Sequence, residues 1–116
     1  MNENFCSCTP KPQLTERPLL DIEKAENLSE TFKILSNGTR LRILHALVRK
    51  SNSSVSEIAE QLKMKPQAIS NQLQRLVDKS IVRSYREGNF IRYRIVDPCI
   101  VNLLEQGLCL TEDLPV

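Results

Sequence analysis

The chain has 116 residues and a formal net charge of +2, which leaves room for one compact domain with short extensions. It contains no tryptophan and only 4% aromatic residues, so aliphatic side chains must supply most of the core. No apolar run approaches the roughly 20 residues of a membrane-spanning helix, and the N-terminus lacks the basic and hydrophobic regions of a secretory leader. We therefore expect a cytoplasmic protein without a membrane partner.

The charge is distributed unevenly along the sequence. Residues 63–94 contain eight Lys or Arg and two Asp or Glu, a local charge of +6, so the remainder carries −4. A basic segment in a nearly neutral chain is typical of a surface that binds nucleic-acid phosphates. A solvated charged face without a partner is the alternative interpretation.

The first residues carry several prolines among polar side chains, which predicts a flexible arm over residues 1–19 that includes Cys6 and Cys8. The folded domain is predicted to cover residues 20–111. A short tail over residues 112–116 follows it.

Apolar side chains at spacings of three or four predict an amphipathic first helix after residue 20. These side chains are Ile22, Ala25, Leu28, Phe32 and Leu35. Asn37-Gly38 is predicted to end this helix, and a second, largely apolar helix follows over residues 39–48.

A helix-turn-helix is predicted next. Ser54 can cap a short helix, with Glu57 as its capping-box partner. Lys63-Met64-Lys65 forms a tight turn, and Pro66 suits the first turn of another helix because its missing N–H has no partner to lose there. The buried stripe of that helix is Ile69, Leu73, Leu76 and Val77. Two helices joined by three residues are typical of DNA-binding proteins.

A β-hairpin is predicted around the loop Glu87-Gly88-Asn89. In its second arm Ile91, Tyr93 and Ile95 alternate with Arg92 and Arg94, so the apolar side chains should face the domain and the arginines should face outward. Asp97 can cap a last helix that begins at Pro98. The predicted fold class is mainly α with a β-hairpin wing, a winged helix-turn-helix.

Polar side chains cover the predicted outer surface of the second helix of the motif: Gln67, Ser70, Asn71, Gln72 and Gln74. Asn and Gln can pair with adenine by two hydrogen bonds in the major groove, and Ser can bond to bases or phosphates. Seven cations would position the module on backbone phosphates: Lys63, Lys65, Arg75, Arg83, Arg86, Arg92 and Arg94. Near the hairpin tip, Arg86 and Arg92 are the expected wing contacts. The predicted partner is double-stranded operator DNA.

Four stretches resemble the ArsR/SmtB family of bacterial metal- and redox-responsive repressors. They are FKILSNGTRLRIL at 32–44, VSEIA at 55–59, QAISNQLQRL at 67–76 and REGNFIRY at 86–93. The resemblance implies a homodimer formed by the first and last helices, with a recognition helix over residues 66–79. It also implies a repressor that an effector releases from its operator.

The family places one sensor site on cysteines of the first helix of the motif, and this chain has none there. A second family site begins Asp-x-His in the last helix, where this chain reads Asp97-Pro98-Cys99. Cys109 follows ten residues after Cys99, and one helix cannot present both sulfurs to one ion. A shared site then needs a second subunit or the arm cysteines. The candidate ligands are Cys6, Cys8, Asp97, Cys99 and Cys109.

Thiolates favour thiophilic metal or metalloid ions as effectors, such as Cd(II), Pb(II), As(III) or Zn(II). A disulfide or persulfide switch between an arm cysteine and Cys99 or Cys109 is an alternative. A winged-helix module for protein contacts is a second one. We do not expect an enzyme, because the sequence has no phosphate-binding glycine loop and a single histidine, His45.

Overall fold

The computed structural model describes residues 12–112, which form five α-helices, three short β-strands and one 3-10 turn. The turn, Leu14–Glu16, lies within the predicted arm and precedes the helices. In chain order the elements are α1 (Ile22–Leu35), α2 (Gly38–Arg49), β1 (Ser53–Ser54), α3 (Val55–Leu62), α4 (Pro66–Asp78), β2 (Val82–Glu87), β3 (Phe90–Ile95) and α5 (Pro98–Thr111).

The junction of α1 and α2 differs from the sequence prediction. Asn37 does not end α1, because Ser36 is its C-terminal cap. Instead the Asn37 side chain accepts a hydrogen bond of 3.0 Å from the Arg40 backbone N–H and so caps the start of α2. Gly38 is the first residue of α2, and the second helix starts one residue earlier than expected.

The helix-turn-helix forms as predicted. Ser54 and Glu57 make the reciprocal capping box at the start of α3, with the Ser54 hydroxyl accepting from the Glu57 N–H at 3.2 Å. Lys63 ends α3 in the left-handed conformation, which turns the chain toward α4. Pro66 is in the first turn of α4.

The wing is a three-stranded antiparallel sheet in the order β1-β3-β2. β2 and β3 pair from Val82 opposite Ile95 to Glu87 opposite Phe90, so only Gly88 and Asn89 form the turn. The positive φ of Gly88 suits this tight connection. The strand β1 was not expected from the sequence, because two residues are too short to show a period.

The core lies where α2, α3 and α4 meet β2. Its fully buried side chains are aliphatic, as the composition requires. They include Ile43, Leu44, Leu47, Ile58, Ile69, Leu73, Leu76 and Val82. In α5, Ile100 is buried and Leu103 and Leu104 pack against this core. Together these elements confirm a mainly helical fold with a β-hairpin wing.

Two placements in the wing correct the predicted alternation. Tyr93 and Ile95 pack against the core, but Ile91 is 40% exposed because it lies near the hairpin tip, beyond the reach of the helices. Arg92 is half-buried, since its guanidinium turns toward α3. Arg94 is exposed as predicted.

The extent of the predicted arm and tail stays a prediction, and Cys6 and Cys8 lie outside the described residues. Within residues 12–112, no helix combines the length and the apolar character needed to cross a membrane.

Candidate nucleic-acid interface and sensor residues

The outer face of α4 carries exposed polar side chains. Gln67, Asn71 and Arg75 are exposed, whereas Ser70 lies half-buried at the margin of this face. The Gln67 amide donates a hydrogen bond of 3.0 Å to Asn71 Oδ1, one helical turn away. This contact holds two amides side by side where base edges would meet them.

Gln72 is placed differently from the other amides. It is half-buried, and its Oε1 accepts a hydrogen bond of 2.8 Å from Arg40 Nη1 in α2. Sequence reasoning assigned no role to Arg40. Its membership of the family-like stretch 32–44 was the one available signal, and that signal does not identify a partner 32 residues away.

The turn between α3 and α4 presents two cations. Lys63 and Lys65 are both exposed, and neither makes an ion pair with any of residues 12–112. Both ammonium groups are therefore open to solvent immediately before the first residue of α4.

The wing presents further exposed cations. Arg83 and Arg86 on β2 and Arg94 on β3 are exposed and form no ion pair within the described part of the chain. Arg86 lies one residue before the end of β2, which places it near the tip. Six exposed cations thus form no ion pair within residues 12–112, and we call them the unpaired cation set: Lys63, Lys65, Arg75, Arg83, Arg86 and Arg94.

Arg92 does not belong to this set. Its Nη1 lies 3.2 Å from Glu57 Oε1 and also donates to the Asn52 carbonyl at 3.2 Å. Its Nε is 2.8 Å from Glu87 Oε1, an ionic contact without the alignment of a directed hydrogen bond. With a side chain only 23% exposed, Arg92 joins the wing to the start of α3.

Glu57 is the acceptor at the centre of this contact. The Ser54 backbone N–H donates to its carboxylate at 2.9 Å, and that hydrogen bond is the main cause of its lowered pKa. Desolvation opposes this as the second-largest effect, and the charges of Lys50 and Arg92 lower the pKa further. Asn52 completes the corner, because it also accepts a hydrogen bond from the Tyr85 hydroxyl on β2.

Apolar side chains remain exposed on the first and last helices of a single chain. In α1, Ile22, Leu28 and Phe32 are exposed, and in α5 Leu108 and Leu110 are exposed. A large exposed apolar surface on a small domain is typical of a protein–protein interface.

The candidate sensor residues in α5 lie near its two ends. Asp97 caps the helix, its Oδ1 accepting from the Cys99 N–H at 2.8 Å. Cys99 is half-buried and disulfide-bonded, and Cys109 is an exposed free thiol. Ten residues of helix separate the two cysteines by about 15 Å.

This spacing prevents the two cysteines of α5 from binding the same metal ion. Within residues 12–112, no three His, Cys, Asp or Glu side chains lie close enough to share a metal ion. The described residues bring Asp97 and Cys99 together but not Cys109. Among residues 12–112 the arrangement therefore supplies one free thiol, Cys109, and a disulfide-bonded sulfur, Cys99, at separate positions.

Known proteins are similar in sequence to this chain, both in the helix-turn-helix and over most of its length. The model of a helix-turn-helix domain family matches residues 35–85. The cadmium resistance transcriptional regulatory protein CadC of Listeria innocua is 30% identical over 118 residues, covering 98% of each chain. The regulator NmtR of Mycobacterium tuberculosis is 32% identical over 95 residues, which is 82% of this chain and 78% of NmtR.

Solved structures agree with these relatives. The AntR antimony-specific transcriptional repressor is 52% identical and superposes with a TM-score of 0.77, covering 91% of this chain and 96% of AntR. The homodimeric winged helix-turn-helix domain of Mb0332 from Mycobacterium bovis, a possible ArsR-family regulator, is 28% identical with a TM-score of 0.68. That match covers 83% of this chain and 91% of the domain.

Proposed function

Because the chain belongs to the ArsR/SmtB family of winged helix-turn-helix transcriptional repressors, we propose that it leaves its operator when cysteine thiolates bind a trivalent metalloid. Its relatives are transcriptional regulators, so the chain is a DNA-binding regulator and not an enzyme. The single observation that carries the metalloid proposal is the 52% identity to an antimony-specific repressor, across 91% of this chain.

The proposed DNA contacts divide into two kinds. Gln67, Ser70 and Asn71 on α4 would read base edges, since their side chains lie on or beside its exposed face. The unpaired cation set would bind phosphates and supply most of the affinity. In this proposal Arg92 keeps the wing in position instead of contacting DNA.

The proposed repressor is a homodimer. The exposed apolar side chains of α1 and α5 support an interface between two copies, and a homodimeric relative has the same fold. Two recognition helices related by a two-fold axis would enter successive major grooves, about 34 Å apart. The effector would act by making this spacing unfavourable.

The available donors fit a thiophilic ion by their chemistry. Thiolates are soft ligands, so they bind arsenic, antimony and cadmium more tightly than they bind hard ions such as Mg(II) or Ca(II). Since Cys99 and Cys109 are too far apart along one helix, the proposed site combines cysteines of two subunits or includes Cys6 and Cys8. The cysteine sulfurs would be the ligands, and a bound metalloid would link them to one another.

A thiol-oxidation switch is the second candidate. The disulfide-bonded state of Cys99 favours it, because the same sulfur cannot serve as a thiolate ligand while oxidised. In that case two thiols would give two electrons and two protons to hydrogen peroxide, which would form one S–S bond and two water molecules. Reduced and oxidised protein would then differ in operator affinity without any metalloid.

One titration separates the two candidates. Reduced protein bound to a fluorescent operator, selected from a random duplex library, is titrated with Sb(III), As(III), Cd(II), Pb(II), Zn(II) and hydrogen peroxide. We expect release by Sb(III) or As(III). Loss of this response when Cys6 and Cys8 are replaced by Ser would assign the site to the arm cysteines, and a retained response would assign it to cysteines of two subunits. The matched control is Ser7→Ala, which keeps both arm thiols. Release by peroxide alone would favour the oxidation switch, and absence of duplex binding at low salt would refute the repressor.

A further inference from the structure

One guanidinium connects three helices at the inner margin of α4. Arg40 Nε donates a hydrogen bond of 2.6 Å to the Ile34 carbonyl near the end of α1. Its Nη1 donates a second one of 2.8 Å to Gln72 Oε1 on α4. The cap from Asn37 to the Arg40 N–H fixes the start of α2, and so fixes where this side chain emerges.

Resting on the proposed DNA-binding function, we propose that Arg40 is a positioning residue for operator recognition. It sets α4 against the end of α1, and it fixes the orientation of the Gln72 amide that the DNA would meet.

The orientation of the Gln72 amide follows from the chemistry of its partner. A guanidinium has five donors and no acceptor, so the amide must face Arg40 with its oxygen. The Nε2 group then points away from Arg40. It makes no hydrogen bond to residues 12–112 and is not among their buried unsatisfied atoms, so it is open to solvent.

This orientation changes what Gln72 can recognise. Pairing with adenine by two hydrogen bonds needs both the oxygen and the nitrogen of the amide. Arg40 occupies one of the two lone pairs of the Gln72 oxygen and so fixes the plane of the amide. The Nε2 group then points its N–H donors away from Arg40, toward an acceptor such as guanine O6 or N7, or thymine O4.

The same side chain links α4 to the helix with the exposed apolar face. At the end of α4, its C-terminal cap Lys79 forms an ion pair with Glu30 of α1, at 3.9 Å between exposed side chains. Such an exposed pair contributes little. The half-buried Arg40 contacts are shorter and directed, so they constrain α4 against α1 more than this ion pair does.

Arginine is required for this role by its shape. Its planar fork reaches two acceptors on different helices at once, with little loss of side-chain freedom for each bond formed. Lysine keeps the charge but is a point donor on a flexible stem. Arg40→Lys therefore removes the positioning and retains the electrostatics.

The test compares Arg40→Lys with the matched control Arg42→Lys. Arg42 lies in the same helix and makes only a long contact, 3.4 Å, to the Leu62 carbonyl. The readouts are the affinity for the selected operator relative to a random duplex, and the salt dependence of binding. We expect Arg40→Lys to lower the preference for the operator about tenfold with an unchanged salt slope, and Arg42→Lys to change it less than twofold.

A second variant is needed if Arg40→Lys lowers the thermal stability of the protein, because a partly unfolded variant would also bind the operator less well. Gln72→Met preserves side-chain length and helix propensity, and adding Arg40→Lys to it should cause no further loss of operator preference. Equal behaviour of the two lysine variants, additive effects in the double variant, or a lower salt slope for Arg40→Lys would each overturn the inference while wild-type binding stands. A wild-type protein that binds no duplex would overturn the proposed function itself.

Discussion

Replacing Arg86 by Gln removes one exposed cation near the wing tip without disturbing any described ion pair. Each phosphate contact adds about 0.9 to the slope of log affinity against log salt concentration. A dimer carries two copies, so the slope should fall by about 1.8. Between about 50 and 200 mM salt, a fourfold change, wild-type binding should therefore weaken about twelvefold more than binding by the variant.

The assay is fluorescence anisotropy with the selected operator at several salt concentrations. Arg92→Gln is the informative comparison, since sequence reasoning placed Arg92 beside Arg86 as a wing contact. Its loss removes the contacts to Glu57 and Glu87, so thermal stability should fall. The six residue pairs between β2 and β3 keep Arg86 in place, so the slope should stay within about half a unit. An unchanged slope for Arg86→Gln, or an equal fall for both variants, would refute this assignment.

Two further predictions concern stability. Because the folded pKa of Glu57 lies below its ordinary value of 4.5, its charge stabilises the fold above that pH, and this contribution is lost as the pH falls through the lower folded pKa. The difference in urea midpoint between wild type and Glu57→Gln should thus be constant near neutral pH and vanish in acid; a difference independent of pH would contradict it. Leu73→Ala should cost about 2–5 kcal/mol in urea unfolding, because Leu73 is completely buried, whereas Leu19→Ala at a 97% exposed side chain should cost under about 0.5 kcal/mol. Similar costs at both positions would show that the core is placed wrongly.

Local signals in the sequence predicted the helix starts well. The Ser54 and Glu57 capping box, Pro66 and the Asp97-Pro98 pair each act over three or four residues, so their outcome depends little on the rest of the fold. The exception is Asn37, which can end one helix or begin the next. Which of the two it does depends on where the next helix begins. Here α2 begins at Gly38, so Asn37 caps α2.

Contacts between distant residues could not be predicted. The strand period predicted an outward-facing Arg92, yet its side chain turns to Glu57, 35 residues away, because α3 lies beside that face of the wing. Gln72 looks like any other amide of the recognition helix until Arg40 is placed next to it. The sequence pattern shows which side a residue faces but not which neighbour reaches it first.

Within residues 12–112, three corners of the fold have left-handed backbone at residues other than glycine: Asn52, Lys63 and Ser80, with φ near 60°. Glycine would adopt this conformation at lower cost. At Asn52 the side chain and carbonyl receive hydrogen bonds from the wing, and at Lys63 an ammonium group stands where DNA is proposed to approach. Glycine at Asn52 would relax the backbone but remove the side chain that the wing contacts, and glycine at Lys63 would remove a proposed DNA contact. Ser80 is the position where glycine would remove neither.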